Sequence, residues 1–294
     1  MTSNNPLVSC VVPSYRRCDT LRRAVDSIIS QTYKNLEILI VNDNEKGDEF
    51  SVNLETVVKE YAKDKRVRLI TQDKHINGAV ARNAGITASN GEYIAFLDDD
   101  DEWLPTKIEK QISFLLKNPQ YGGVGCLSDV YCDNKLKTKG KIDNKDINVF
   151  NILRRKVDIG NCAFLCRKDV LLSFGGFDVN LKRGQDLQLL SDFENVSPIY
   201  VIQESLVKIN ADSIINRPTI TNHERLVLNF LESRAYLLES MTKSERERVY
   251  AAYYFELAYV AFKNKAFLKT IKYLIRVGPN MKCYMDLYSR IKER

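Results

Sequence analysis

Tyr93-Ile94-Ala95-Phe96-Leu97-Asp98-Asp99-Asp100-Asp101-Glu102-Trp103 is the stretch whose reading decides the fold. Its apolar half, Tyr93 to Leu97, reads as a buried strand, and four aspartates follow without a break. Neighbouring carboxylates disfavour one another's ionisation, so a strand that ends in four of them points to a cation. Oxygen ligands in a cluster suit Mg²⁺ or Mn²⁺, which keep waters and take further oxygens from a phosphate. An isolated acidic run is equally a solvated turn ahead of a helix at Pro105. The position of this strand in the chain decides between the two.

Upstream, strand-like and helix-like segments alternate. Leu7 to Pro13 is a nearly continuous apolar run, as in a buried parallel strand. Asp19 or Thr20 can cap a helix with Leu21, Val25, Ile28 and Ile29 on one face. Leu36 to Val41 is a second strand, ending in Asn42-Asp43-Asn44. A helix near Leu54 to Ala62 turns Val57, Val58 and Tyr61 inward, and Val67 to Ile70 is a third strand. Asn77-Gly78 opens a helix through Ala81 to Gly85, whose small residues allow close packing on a sheet. The acidic strand is fourth. Such alternation implies a mostly parallel α/β sheet with helices on both faces. Ligands of such sheets sit beyond the C-terminal strand ends. Those ends carry Pro13-Ser14-Tyr15, Asp43, Asp73-Lys74-His75 and the aspartates, so one crevice would collect them all.

Downstream, Pro105 is placed to start a helix with Ile108, Ile112, Leu115 and Leu116 inward. Strands are expected from Gly123 to Tyr131, from Asn161 to Cys166 and from Ile199 to Ile202. The polar segment Asp133 to Asp146 reads as a loop or loose hairpin able to act as a lid. Gly175-Gly176-Phe177-Asp178 is a turn, and Gly184-Gln185-Asp186 opens a helix. Beyond about Asn222 glycine nearly vanishes and helical periods take over. We expect two regions, residues 1–215 and a helical appendage over 216–294, with a single tetratricopeptide-like unit as a weaker match for the latter.

The chain has 294 residues, 44% hydrophobic and 28% charged, which suits a globular protein and excludes a disordered one. No apolar run approaches the roughly 20 residues that span a bilayer. Met1 to Pro6 lacks the basic and apolar regions of a signal peptide, which predicts a cytoplasmic protein. Cys10, Cys18, Cys126, Cys132, Cys162, Cys166 and Cys283 are scattered, odd in number and without a C-x-x-C pair, as expected of reduced thiols. His75 and His223 are too few to supply a zinc site or a Ser-His-Asp triad. From Lys243 onward, twelve Lys/Arg face five Asp/Glu, a net +7 in a chain of +6, so the first 242 residues carry −1. The basic character belongs to the tail.

At this point the residues resemble a family. Val11-Val12-Pro13-Ser14-Tyr15, Val41-Asn42-Asp43, Ala81 to Ile86, Gly91 to Asp101, and Gly175 to Asp178 with Gly184-Gln185-Asp186 come in the order seen in family-two inverting nucleotide-sugar glycosyltransferases of the GT-A fold. The resemblance covers roughly residues 7 to 210. It implies that Asp100, Asp98 and Asp101 hold Mg²⁺ or Mn²⁺ against a donor diphosphate, Asp100 most directly. It implies that Pro13, Tyr15, Asp43, Arg82, Asp98 and Asp99 bind a UDP-sugar, with Asp43 toward uracil or ribose and Arg82 toward the diphosphate or bracing the acids. Asp186 becomes the general base. Relatives usually carry Glu-Asp where this chain has Gln185-Asp186. Gln185 and Trp103 fall on the acceptor side, Trp103 as a sugar platform or as core.

The expected activity is metal-dependent, inverting sugar transfer from a UDP-sugar to a saccharide or lipid-diphosphate-linked acceptor in polysaccharide assembly. Lys263, Lys265, Lys269, Lys272 and Arg276 alternate with Phe262, Phe267, Ile271 and Tyr273, which predicts peripheral contact with anionic membrane. No nucleic-acid partner is expected. Two rivals remain. An inactive scaffold of the same fold is opposed by the intact Asp98, Asp100 and Asp186. A nucleotidyltransferase would want a glycine-rich loop where Ser14-Tyr15-Arg16-Arg17 stands.

Overall fold

The computed structural model describes residues 5–211 and 220–278. The expected boundary at 215/216 and Cys283 lie outside the described residues. The first half alternates as expected: β1 (Val8–Ser14), α1 (Leu21–Ile29), β2 (Leu36–Asn42), α2 (Glu49–Lys59), β3 (Val67–Thr71), α3 (Gly78–Ala88) and β4 (Tyr93–Phe96). Then come β5 (Glu102–Trp103), α4 (Lys107–Lys117), β6 (Gly123–Cys132), β7 (Lys135–Thr138), α5 (Val149–Leu153), β8 (Leu165–Arg167), α6 (Lys168–Ser173), α7 (Gln185–Val196) and β9 (Ile199–Asn210). Four helices follow: α8 (Ile220–Ser233), α9 (Ala235–Glu239), α10 (Lys243–Lys263) and α11 (Phe267–Val277).

The nine strands form one sheet ordered β3-β2-β1-β4-β8-β6-β9-β5, with β7 paired to β6. β3, β2, β1 and β4 are parallel, and β8 enters antiparallel between β4 and β6. After β1 the chain steps out to β2 and β3, then crosses to the other side of β1 for β4. That reversal leaves a crevice between the C-terminal ends of β1 and β4, where open α/β sheets bind ligands. β1 and β2 are buried almost throughout, which is why they read as continuous apolar runs. α3 lies unusually close to β1: a β-carbon on Gly85 would stand 2.3 Å from Val11 Cγ1.

Several boundaries differ from the sequence reading. α2 starts at Glu49, not near Leu54, because the Asp48 side chain caps it by accepting the Ser51 N–H at 2.6 Å. α4 starts at Lys107, two residues after the expected start at Pro105, with Thr106 at the cap position. Asp133 and Asn134 both take positive φ, 50° and 60°, in a two-residue loop that makes β6–β7 a proper hairpin. Only the second half of the stretch 161–166 is strand; Asn161–Ala163 is a 3₁₀ turn. β9 runs on from Ile202 to Asn210, where it pairs with β5 directly after the aspartates.

The tail is helical, as expected. Val227, Phe230, Leu231, Leu237, Val249, Tyr253 and Leu257 belong to the same hydrophobic cluster as the sheet residues Val11, Phe96 and Leu165, so these helices pack on the core of the sheet region. The six described cysteines are free, as expected.

Candidate active site

The ends of β1 and β2 lie side by side, with Ser14 opposite Asn42 and the half-buried Pro13 opposite Val41. The Asp43 N–H closes onto the Ser14 carbonyl at 3.0 Å, which draws the Asp43 side chain inward, where it is 2% exposed. His75, from the loop after β3, donates Nδ1–H to Asp43 Oδ2 at 2.9 Å. Its ring stacks on Tyr15, centroids 3.7 Å apart and planes 16° apart. The other oxygen, Asp43 Oδ1, is buried with no well-formed hydrogen bond. Burial raises the Asp43 pKa, and the charge and hydrogen bond of His75 offset only part of this. The result is an aromatic wall beside a buried acceptor awaiting a donor.

The four aspartates have four different settings. Asp98 is the most exposed of them and accepts Arg82 Nη2 at 2.5 Å. Asp99 is buried and accepts the Ser14 hydroxyl at 2.7 Å; burial pushes its pKa up to about 6. Asp100 is paired with Arg17, and its carbonyl takes the Arg23 guanidinium at 2.7 Å. Asp101 is buried, accepting the Asn210 N–H at 2.9 Å and the Cys162 thiol at 3.1 Å. Burial, then the charge of Asp98, raises its pKa to about 7.

Arg82 joins this cluster to α7. Besides Asp98, its Nη1 donates to Gln185 Oε1 at 3.3 Å, and its Nε is buried without a partner. Asn83 holds the Gly175–Asp178 turn through both of its amide groups: the Phe177 N–H donates to Oδ1 at 3.0 Å, and Nδ2 donates to the Phe177 carbonyl at 2.8 Å. Asn77 reaches the Val179 carbonyl at 2.8 Å. The motif on α3 thus positions a turn about a hundred residues later, and that turn leads to Gly184, whose φ of +76° starts α7. Asp186 sits in the first turn of α7, after Gly184 at the cap position and not as the cap itself. Burial, then the charge of Asp158, raises its pKa; the Leu187 amide and Arg155 oppose this.

The C-terminal helices close this end of the crevice. Phe230 on α8 packs on Gly184. Arg234 pairs with Asp192 on α7 and reaches Asp178 at 3.5 Å. Glu256 on α10 pairs with Arg155 and accepts His223 Nε2 at 3.1 Å. The Tyr253 hydroxyl is buried among them without a hydrogen-bond partner.

The expected residues Pro13, Tyr15, Asp43, Arg82 and the aspartates lie at one end of the sheet, and the Arg82–Gln185 bond links them to the helix that carries Asp186. Trp103 is the exception. It is 3% exposed, donates Nε1–H to the Cys162 carbonyl at 2.8 Å and lies under Lys107 Nζ, 4.1 Å from its centroid. Of its two readings it takes the core one and offers no free face to a sugar. The reading from sequence missed Arg17, Cys162, Asn210, Arg155 and Glu256. Each acts through a contact across 61 or more residues of chain, and no local pattern announces it.

For a divalent ion, the ligand atoms of Asp98, Asp101 and Cys162 lie within 4.8 Å of one another, while Asp100 is outside this group. The Cys162 thiol is held protonated by burial and donates to Asp101, so the donors on offer are carboxylate oxygens. Two carboxylates, one raised to about 7 by its neighbour and burial, fit a hard ion such as Mg²⁺ or Mn²⁺.

Comparison with known proteins agrees with this geometry. A sequence model of the family described as "Glycosyl transferase family 2" matches residues 9–178. An uncharacterized glycosyltransferase of Rickettsia prowazekii is 33% identical over 254 residues, 82% of this chain and 74% of the relative. The Escherichia coli enzyme WfgD, a UDP-Glc:alpha-D-GlcNAc-diphosphoundecaprenol beta-1,3-glucosyltransferase, is 30% identical over 78% of this chain and 81% of its own length. The structure of the mannosyltransferase PcManGT from Pyrobaculum calidifontis, solved with GDP-Man and Mn²⁺, superposes with a TM-score of 0.62 over 99% of this chain and 81% of that one, at 14% identity. That likeness shows the shared fold.

Proposed function

The chain belongs to glycosyl transferase family 2 and is a glycosyltransferase of GT-A fold; from this premise we propose that it transfers a sugar, with inversion, from a UDP-sugar to a hydroxyl of a lipid-diphosphate-linked saccharide. The observation that carries the reading is the Arg82 bridge. One guanidinium bonds Asp98 at 2.5 Å and Gln185 at 3.3 Å, so the acidic strand end and the helix bearing Asp186 face one space.

Pro13, Tyr15 and Asp43 receive the nucleoside, with Asp43 Oδ1 accepting from uracil or ribose. Arg82 and Asp99 border the diphosphate. Asp98 and Asp101, with Asp100 beside them, would hold Mg²⁺ or Mn²⁺, which when bound offsets charge on the departing diphosphate. Asp186 takes the proton of the acceptor hydroxyl as its oxygen bonds to the anomeric carbon, while the bond from that carbon to the diphosphate breaks and UDP leaves with the electron pair. A base with a raised pKa accepts that proton more readily than an ordinary carboxylate does. Gln185, the neutral residue of the pair, orients Arg82. UDP and a lipid-diphosphate acceptor are supported by WfgD, whose name carries both.

The same reading places the protein at the cytoplasmic membrane surface. Among the described residues no helix is long and apolar enough to cross a membrane. On α11, Leu268 and Ile275 are 86% and 75% exposed, with Phe267 and Ile271 beside them and Lys269, Lys272 and Arg276 interspersed. Flotation with anionic liposomes should be lost on removing residues 264–294, and equal flotation sinks the membrane contact. The enzyme reading is tested by a donor-hydrolysis screen over nucleotide sugars with Mg²⁺ or Mn²⁺. Turnover should fall by about 10²–10⁴ in Asp186→Asn and also fall in Asp100→Asn. Turnover unaffected by both refutes the mechanism.

A further inference from the structure

A second polar cleft lies between α8 and the loop that leads into the helix of Asp186. It measures about 210 Å³, and its polar lining is Asn180, Lys182, Arg183, Arg225 and Asn229. The first three come from the loop that leads into α7, the last two from α8. No carboxylate lines it. Among the described residues, Lys182 and Arg183 have no acidic partner, and Arg225 donates only to the Asn222 amide oxygen at 3.0 Å. By contrast, Arg17 is paired with Asp100, Arg22 with Glu60 and Arg66 with Asp64. Three cations left together around one hollow set up a positive potential that a polyanion would neutralise. Guanidinium forks match phosphate oxygens, and the two amides supply further donors. The volume is below the roughly 300–1,000 Å³ of pockets for drug-sized ligands and suits a compact anion.

The position identifies which anion. Arg183 precedes Asp186 by three residues, so their α-carbons are at most about 10 Å apart. That is the scale of one sugar ring with its anomeric substituent. The donor diphosphate belongs to the other side, at Asp98 and Arg82. We infer that this cleft binds the diphosphate of the acceptor, an inference that rests on the glycosyl-transfer reading above. With the diphosphate seated between Lys182, Arg183 and Arg225, the first sugar of the acceptor extends toward Asp186. Helix α8 thereby contributes Arg225 and Asn229 to the acceptor site.

The test is equilibrium dialysis of radiolabelled geranyl diphosphate against the full chain, with the donor site saturated by UDP and Mg²⁺. Saturable binding is expected. In K182A/R183A/R225A its Kd should rise at least tenfold, with UDP affinity unchanged. Inorganic diphosphate should displace the probe, which assigns recognition to the anion; failure to displace assigns it to the lipid and overturns the inference. Geranyl monophosphate should bind more weakly. The three residues are exposed, so the variant should keep its far-ultraviolet spectrum. Absence of saturable binding, or an unchanged Kd in the variant, also overturns the cleft. UDP-sugar hydrolysis measured on the same samples separates the two readings. Hydrolysis without diphosphate binding sinks the cleft alone, and no hydrolysis of any nucleotide sugar sinks the transferase reading itself.

Discussion

A β-carbon on Gly184 would stand 2.9 Å from Cδ2 of Phe230, so the residue that starts the helix of the proposed base is packed directly beneath an aromatic ring of the C-terminal helices. Gly184 also has φ +76°, in the left-handed region that glycine occupies freely. The two constraints coincide at one residue, and Asp186 follows two positions later.

Gly184→Ala should therefore cost on the order of 1–3 kcal/mol from backbone strain alone, with a further loss from displacing Phe230. Catalytic turnover should fall more than donor affinity, because Asp186 moves and Asp43 does not. Gly175→Ala is the control. Its φ is +87°, but nothing lies within 4 Å of the added carbon, so it should lose stability and keep kcat. Urea unfolding with kcat and donor KM for both variants decides; equal kcat losses would separate Phe230 packing from catalysis.

Stability should respond to pH and metal together. Burial holds Asp99, Asp101 and Glu194 near 6, 7 and 7 in the folded chain. Each keeps its proton at pH values where the unfolded chain has lost it. Their stabilising contribution is complete below about pH 4 and is lost as pH rises through 6 to 7. In EDTA, Tm should fall between pH 5 and 7.5, by about 2–4 °C for each kcal/mol. Adding Mn²⁺ at pH 7.5 should restore Tm, since a bound cation would offset the charges of Asp98 and the ionised Asp101, and should do little at pH 5. A Tm that rises across this window in EDTA contradicts the assignment.

Glu256 behaves oppositely. Burial alone would raise its pKa, but Arg155 and His223 drive it down to about 2. Its contribution is present above pH 4.5 and is lost as pH falls toward 2. Glu256→Gln strands the Arg155 guanidinium, for which about 3–5 kcal/mol is the usual cost. Urea titrations from pH 3 to 7 should show the wild type losing stability on acidification and the variant losing less, from a lower start.

Asp43→Asn should weaken UDP binding roughly tenfold, the worth of about 1.4 kcal/mol, because it replaces an acceptor by an amide whose donor face meets the donor ligand. His75→Ala removes both the Tyr15 stack and the Asp43 bond, and should weaken UDP at least as much. Calorimetric titration of UDP checks both; unchanged affinity in Asp43→Asn would place the nucleoside elsewhere.

Much of the architecture is legible in residue order. β1, β2 and β4 are apolar runs because both faces of a parallel sheet are covered, and Gly85 announces close packing: a β-carbon there would stand 2.3 Å from Val11 Cγ1. Lys107 shows where local pattern fails. A lysine on an amphipathic helix reads as solvated, yet this one is fully buried, with Nζ on Gln111 Oε1 at 2.8 Å and over the Trp103 ring. Its partners make it tolerable, and Gln111 is itself held by the Val124 and Ala163 carbonyls at 3.0 and 2.9 Å. The C-terminal helices meet the same limit. Their period shows an apolar stripe but not what that stripe covers.

The sequence by itself determined that four carboxylates end a buried strand, that Asp43 lies at another strand end of the same sheet, that Asp186 lies at the start of a helix, and that the tail is helical and basic. These follow from hydrophobic periodicity and chain order, which are local. Only the tertiary structure decided that Asp98 and Asp101 approach Cys162 while Asp100 turns to Arg17, that Trp103 is core, and that Phe230 of α8 packs on Gly184 while Glu256 of α10 pairs with Arg155. Those outcomes depend on which groups meet across 46 or more residues of chain and on which of them burial leaves without water. No stretch of sequence carries that information alone.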